Sequence, residues 1–180
     1  MIFRETKLLG AFVIEPDKFV DERGVFSRIW SQGEFEAHGL TAQFVESNAS
    51  LNVKTGTLRG MHYQAPPHAQ AKLVSCTQGS IYDVIIDLRP ESPTFKQWVA
   101  LELSAADRLM LYVPQGFAHG FQTLNANTEV FYLVSAYYAP ESAGGVRWND
   151  PAFGIEWPEA TRTIIPRDNE YPDFDAANVA

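Results

Sequence analysis

Apolar and polar positions along this chain follow the pattern of β-structure. Residues 72–77 (KLVSCT) and 81–88 (IYDVIIDL) are rich in apolar and β-branched side chains, which suit a buried, pleated surface. Gln78-Gly79 lies between the two runs and predicts a hairpin joining them. Further strands are predicted at 96–103, 109–113, 118–124 and 128–138. Turn residues separate them: Arg89-Pro90, Ala106-Asp107, Pro114-Gln115-Gly116 and Asn125-Ala126-Asn127. Short strands at this spacing predict a sandwich or barrel. One helix is expected over 32–38, because Ser31 and Glu34 form a capping-box pattern and Gly39 is a natural stop. The last third, with its WNDP and EWP segments, predicts loops and a turn or two of helix wrapped around the strands. No repeat or linker divides the chain, and 180 residues fit a single domain, 1–180.

Composition narrows the function. A hydrophobic share of 46% allows a substantial core, and an aromatic share of 13% leaves rings over for a pocket. The net charge of −8, with no Lys/Arg run, argues against a nucleic-acid face. A phosphate-bearing small ligand remains compatible, since a few well-placed Arg and Lys hold one. Cys76 is the single cysteine, so no internal disulfide and no Cys-based metal site can form. The opening MIFRETKLLGAFVIEP interrupts its apolar stretches with Arg4, Glu5 and Lys7, unlike a secretory leader. No apolar run reaches the roughly 20 residues of a membrane span. A cytoplasmic protein without membrane contact is expected.

The chemistry concentrates in three stretches. In GTLRGMHYQAPPHAQAKLV, residues 56–74, Arg59, His62 and Lys72 fall in or beside predicted strands. Arg59 and His62 would not share a face of a regular strand, but Gly60 permits a bulge that re-aims one of them. Converging, the three suit a phosphorylated, enolisable substrate: Arg for phosphate, His to move a proton, Lys for an oxyanion. The competing reading is a polar strand with solvated ends. In YVPQGFAHGFQTL, residues 112–124, His119 sits between Ala118 and Gly120 with room to reach a ligand; a hydrogen-bonded core histidine is the alternative. In TEVFYLVSAYYAPE, residues 128–141, Tyr132, Tyr137 and Tyr138 are candidate proton donors or phosphate contacts, against tyrosines merely packed at a barrel mouth. Near the N-terminus, DERGVF places Arg23 and Phe26 around Gly24, suited to a pyrophosphate and a base, or forming an ordinary turn.

Metal-binding cupins place a His after P-x-G-x-x-H, and Pro114 to His119 matches that element. They also need an H-x-H pair, whereas Tyr63 and Gln64 follow His62 and His68 is displaced into a Pro-rich loop. Zinc or iron needs at least three inward ligands in fixed geometry, so no metal is expected.

Taken together, DERGVF, FVESNAS, GTLRGMHYQ, AQAKLV, IYDVIIDLR, SPTF, LYVPQGFAHGF, YYAPE, GVRWNDP and GIEWP, in that order, resemble the dTDP-4-dehydrorhamnose 3,5-epimerases of deoxysugar biosynthesis. The resemblance covers nearly the whole chain. It implies an all-β, cupin-type double-stranded jelly roll with a few short helices, acting as a homodimer in which each subunit lends an N-terminal strand. The segment Ala11–Ile14, apolar and without an obvious partner in its own sheet, fits that expectation. The implied substrate is a nucleoside-diphospho-4-keto-6-deoxyhexose, epimerised at C3 and C5 without metal or diffusible cofactor. By resemblance His62 is the base, Asp168 the acid that orients it, Tyr132 the general acid and Lys72 the group that steadies the enolate. Arg59, His119 and Arg167 match ligand contacts, and Arg23, Phe26, Asn48 and Tyr138 match positions that hold the nucleotide. Arg28 stands where the family usually has an acid, and is expected to alter substrate preference. Rival readings are a C3-only epimerase, a metal-dependent cupin and a noncatalytic sugar-binding cupin.

Overall fold

The computed structural model describes residues 1–160 and 162–176. In chain order the elements are β1 (Ile2–Glu5), β2 (Phe12–Glu15), β3 (Lys18–Asp21), β4 (Gly24–Ser27), α1 (Gln32–Ala37), β5 (Glu46–Asn52) and β6 (Leu58–Gln64). They continue with β7 (Lys72–Gln78), β8 (Ser80–Asp87), β9 (Trp98–Ser104), β10 (Met110–Val113), β11 (Phe117–Thr123), β12 (Thr128–Val134), β13 (Ala143–Gly145) and α2 (Pro166–Asn169). Two antiparallel sheets face each other as a cupin-type jelly roll. One has the order β1-β2-β10-β7-β12-β5 and the other β13-β6-β11-β8-β9, while β3 and β4 form a separate two-stranded ribbon.

The main core lies between the sheets. Val74, Cys76, Leu111 and Val130 of the first meet Ile81, Ile85, Leu103 and Phe121 of the second. The five-stranded sheet is also covered outside: Val84, Ile86 and Ala118 pack with Val146, Phe153 and Trp157 of the C-terminal third. Burial on both faces explains why residues 81–88 read as a near-continuous apolar run rather than an alternation. Outside the six-stranded sheet, Phe35 of α1 packs on Leu73, Met110 and Tyr112. Burying such a side chain fully is worth about 1.5–3 kcal/mol.

Several expectations change in three dimensions. The runs flanking Gln78-Gly79 do not form a hairpin: β7 pairs with β10 and β12, whereas β8 pairs with β11 and β9. Gly79, at φ 76°, turns the chain from one sheet to the facing one, and a Cβ there would lie 2.4 Å from Thr128 Oγ1. Both flanking strands can then bury their inner faces against each other. The strand expected over 128–138 ends at Val134, because the Ser135 hydroxyl accepts the Ala71 N–H at 2.8 Å in place of the next ladder partner. The helix forms, but Ser31 makes no side-chain cap. Glu34 is instead drawn 2.7 Å from the Met1 ammonium. Ala11–Ile14 does find partners in its own chain, since β2 pairs with both β1 and β10 and Ala11 and Ile14 are fully buried.

Candidate active site

Between the sheets, on the side of β5, β6 and β12, polar residues replace the apolar core. Inward positions of the six-stranded sheet carry Asn48 and Ser50 on β5, Lys72 on β7 and Tyr132 on β12, and the facing sheet supplies Arg59, His62 and His119. They line two adjoining cavities of about 260 and 250 Å³ that share His62, Lys72, Tyr132 and Arg167. Each cavity approaches the lower end of the small-molecule range, about 300–1,000 Å³.

Arg59 and His62 reach the same interior through an irregularity in their strand. His62 pairs with His119, and Arg59 pairs with Phe121, so a three-residue step on β6 opposes a two-residue step on β11. Gly60 occupies this bulge at φ 125°. A Cβ there would lie 2.5 Å from Gly120 Cα and 2.9 Å from the His119 carbonyl oxygen. Two glycines back to back thus let the strands approach while the extra residue re-aims the side chains.

His62 Nε2 lies 2.8 Å from Asp168 Oδ1, although the two are 106 positions apart. Asp168 is buried, and its other oxygen accepts the Gly60 N–H at 3.1 Å. Burial opposes ionisation of Asp168, but hydrogen bonds from His62, the Gly60 amide and Arg167 outweigh it and hold the carboxyl below its ordinary range. A carboxylate only accepts, so the neutral imidazole carries its proton on Nε2 and presents the Nδ1 lone pair. Burial pulls the His62 pKa down, Asp168 pushes back, and Lys72 and Arg167 add to the lowering; the net direction is down. The imidazole is therefore neutral and basic near pH 7.

Lys72 is pushed down to about 8 by burial, with Asp83 opposing the shift, so it remains mostly cationic at pH 7. Asp83 is fully buried and accepts from His119 Nε2 at 2.7 Å. Burial raises the Tyr132 pKa, with nearby Arg59 working against it, which keeps the phenol protonated. Arg59 Nε donates to Asn52 Oδ1 at 2.7 Å across the gap between the sheets. A neutral base, a phenol and an ammonium around one space can remove a proton, hold the resulting oxyanion and return a proton.

Asn48, Tyr138 and Arg167 also line the larger cavity. Arg23 and Phe26 do not: they line a separate groove on the β3–β4 ribbon. Arg28 lies outside both cavities around His62 and sits 3.5 Å from Glu34. Tyr137 is exposed, and His68 bonds to Ser142 at 2.9 Å. Sequence reasoning missed Asp83, for which an acid within an apolar strand was the available signal, and Tyr171, for which there was none. Tyr171 lines the larger cavity with its ring edge-on to His62 at 6.4 Å. Among the described residues, no group of three or more His, Cys, Asp or Glu is placed to hold a metal ion.

This architecture has close counterparts among known proteins. The family model described as dTDP-4-dehydrorhamnose 3,5-epimerase matches residues 5–176. The chain is 46% identical to the dTDP-4-dehydrorhamnose 3,5-epimerase of Salmonella typhimurium over 159 residues, 88% of this chain and 86% of that protein. The crystal structure of the Elizabethkingia anophelis enzyme of the same name superposes with a TM-score of 0.95 at 42% identity, covering 99% of this chain and 98% of that one. A 3,5-epimerase from Legionella pneumophila, solved in complex with dTDP-4-keto-L-rhamnose, superposes with a TM-score of 0.93 at 36% identity, covering 99% and 96%.

Proposed function

The chain belongs to the dTDP-4-dehydrorhamnose 3,5-epimerase family, and from that premise we propose how its residues divide the work. It is an isomerase that epimerises a dTDP-4-keto-6-deoxyhexose at C3 and C5. Each inversion removes a proton from one face of a carbon beside the 4-ketone and delivers another to the opposite face. One group cannot easily serve both faces, so a base and a separate acid are required.

In this reading His62 Nδ1 takes the proton, and the C–H electron pair moves through the carbon skeleton onto O4. Asp168 holds the ring and stabilises the imidazolium that forms. The Lys72 ammonium meets the enolate oxygen. Tyr132 then donates its phenolic proton to the opposite face, and exchange with solvent resets both groups. Arg59, His119 and Arg167 contact the sugar and phosphates, while Asn48 and Tyr138 hold the nucleotide. The observation that carries the reading is the 2.8 Å His62–Asp168 bond at a wall shared with Lys72 and Tyr132. No metal or diffusible cofactor takes part.

The chain works as one domain and as a homodimer in the cytoplasm. The dimer reading now rests on the β3–β4 ribbon, which stands apart from both sheets and exposes Phe19, Val20, Val25 and Phe26. Phe19 and Phe26 are cross-strand partners with ring centroids 6.2 Å apart, and an exposed apolar patch of this kind marks an interaction site. Arg23 and Phe26 on that ribbon would then reach the nucleotide of a partner subunit. No helix among the described residues is long and apolar enough to cross a membrane.

Incubation with a dTDP-4-keto-6-deoxyhexose in deuterated water tests the activity. Label at C3 and C5 with inversion at both is expected. Label at C3 alone would make this a monoepimerase, and none would leave a binding protein.

A further inference from the structure

One continuous segment binds both the strand that carries His62 and the stretch that carries Asp168. Its first part, β13, pairs with β6 so that Gly145 lies opposite His62. Val146 extends the pairing, accepting the Met61 N–H at 3.1 Å and donating to the Met61 carbonyl at 2.9 Å. These contacts secure the strand that carries the base.

The next four residues, Arg147-Trp148-Asn149-Asp150, grip the stretch that carries the acid. Trp148 Nε1 donates to Asn169 Oδ1 at 3.0 Å. Arg147 Nη1 donates to the Tyr171 carbonyl at 3.2 Å, and its Nη2 pairs with Asp173. Asp150, 2% exposed, accepts the Phe174 N–H at 2.6 Å and closes its own turn by accepting the Ala152 N–H at 2.8 Å. Phe174 packs edge-on to Phe153, ring centroids 5.0 Å apart. The stretch so held has little regular structure of its own. α2 is a single four-residue turn, too short to persist in water unaided.

We propose that Arg147, Trp148 and Asp150 are positioning residues for the epimerisation, clamping the C-terminal strap so that Asp168 is presented to His62 in register with the strand that carries it. The proposal rests on His62 being the base. The groups facing His62 are Asp168, Arg167 and Tyr171 from the strap, Lys72 from β7 and His119 across the β6–β11 pair. If the strap loosens and Asp168 withdraws, the nearby cation Lys72 still disfavours imidazolium, while the carboxylate that favours it is gone. The imidazole then loses both its orientation and the partner that favours its protonated form, and becomes a weaker base.

Arg147→Gln and Trp148→Phe in the intact protein test this. Each is expected to lower kcat roughly 10- to 100-fold, the scale of a small misplacement of a reacting group, with KM little changed. The acid limb of the kcat/KM profile should move to lower pH, as it should in Asp168→Asn. Added to Asp168→Asn, either change should cost no further kcat, since the clamp has nothing left to position. Wild-type kcat with an unmoved acid limb would overturn the proposal, and so would losses that multiply with those of Asp168→Asn. Should Arg147→Gln fail to fold by circular dichroism, Trp148→Phe, which keeps an aromatic ring, decides. His62→Ala measured alongside separates the two ideas. Persistent solvent exchange there would remove the base assignment itself, whereas an inactive His62→Ala beside wild-type clamp variants would remove only the clamp.

Discussion

At the scale of single residues, the site is a set of ordinary groups whose surroundings set their roles. His62→Ala is expected to abolish both product formation and solvent-deuterium uptake. Tyr132→Phe should lose inverted product yet retain some uptake, because the base can still remove and return a proton on its own face. Losing a placed acid or base costs about 10²–10⁴-fold in rate. Mass spectrometry of substrate recovered from deuterated water reads both, and near wild-type uptake by His62→Ala would unseat the base. The pH profile follows from the same groups. As the proposed base His62 must be neutral, and burial holds its pKa below the ordinary value, so the acid limb of kcat/KM should fall below about pH 6.5. As the proposed stabiliser of the enolate Lys72 must be charged, and burial pushes it down to about 8, so the rate should decline as pH rises through that value. A rate flat well above pH 8 would remove Lys72 from the enolate-stabilising role.

At the scale of elements, the close approach of β6 and β11 is what aims the site. Gly60→Ala would force a side chain into a positive-φ position with backbone atoms 2.5 and 2.9 Å from its Cβ. The expected cost is about 2–3 kcal/mol or more, from the strained conformation and the collision together. Urea unfolding measures it, and an unchanged midpoint would show that the bulge tolerates a side chain. Whatever folds should also lose activity, because His62 and Arg59 both take their direction from this bulge. An unbroken regular strand would have sent them to opposite faces.

At the scale of the whole molecule, the exposed apolar ribbon calls for a partner. A homodimer is expected by light scattering at micromolar concentration. Replacing Phe19 and Val20 with Ser should shift it toward monomer, and a wild-type chain that is monomeric would count against the shared-site reading. Arg23 and Phe26 lie on this same ribbon and outside the cavities around His62. A monomerised variant should therefore bind nucleotide less tightly even with His62, Lys72 and Tyr132 intact, which a titration with dTDP would show.

The strands between Lys72 and Val134, the helix at Gln32–Ala37 and the residue types of the site were readable along the chain, because periodicity, turn residues and side-chain chemistry are local properties. His62, Lys72 and Tyr132 could be picked out one by one, the ordered motifs around them pointed to a family, and Asp168 entered only through that resemblance. What the chain order could not supply was partnership. Lys72–Gln78 and Ser80–Asp87, neighbours across one glycine, lie in different sheets. Ala11–Ile14, without a visible partner, is buried between β1 and β10. Asp83 beneath His119, Tyr171 beside His62 and the Arg147–Asp150 grip on the strap depend on contacts between distant positions. Such contacts form only when packing of the apolar faces offsets the entropy of bringing those positions together, so they belong to the fold as a whole and have no signature in any one segment.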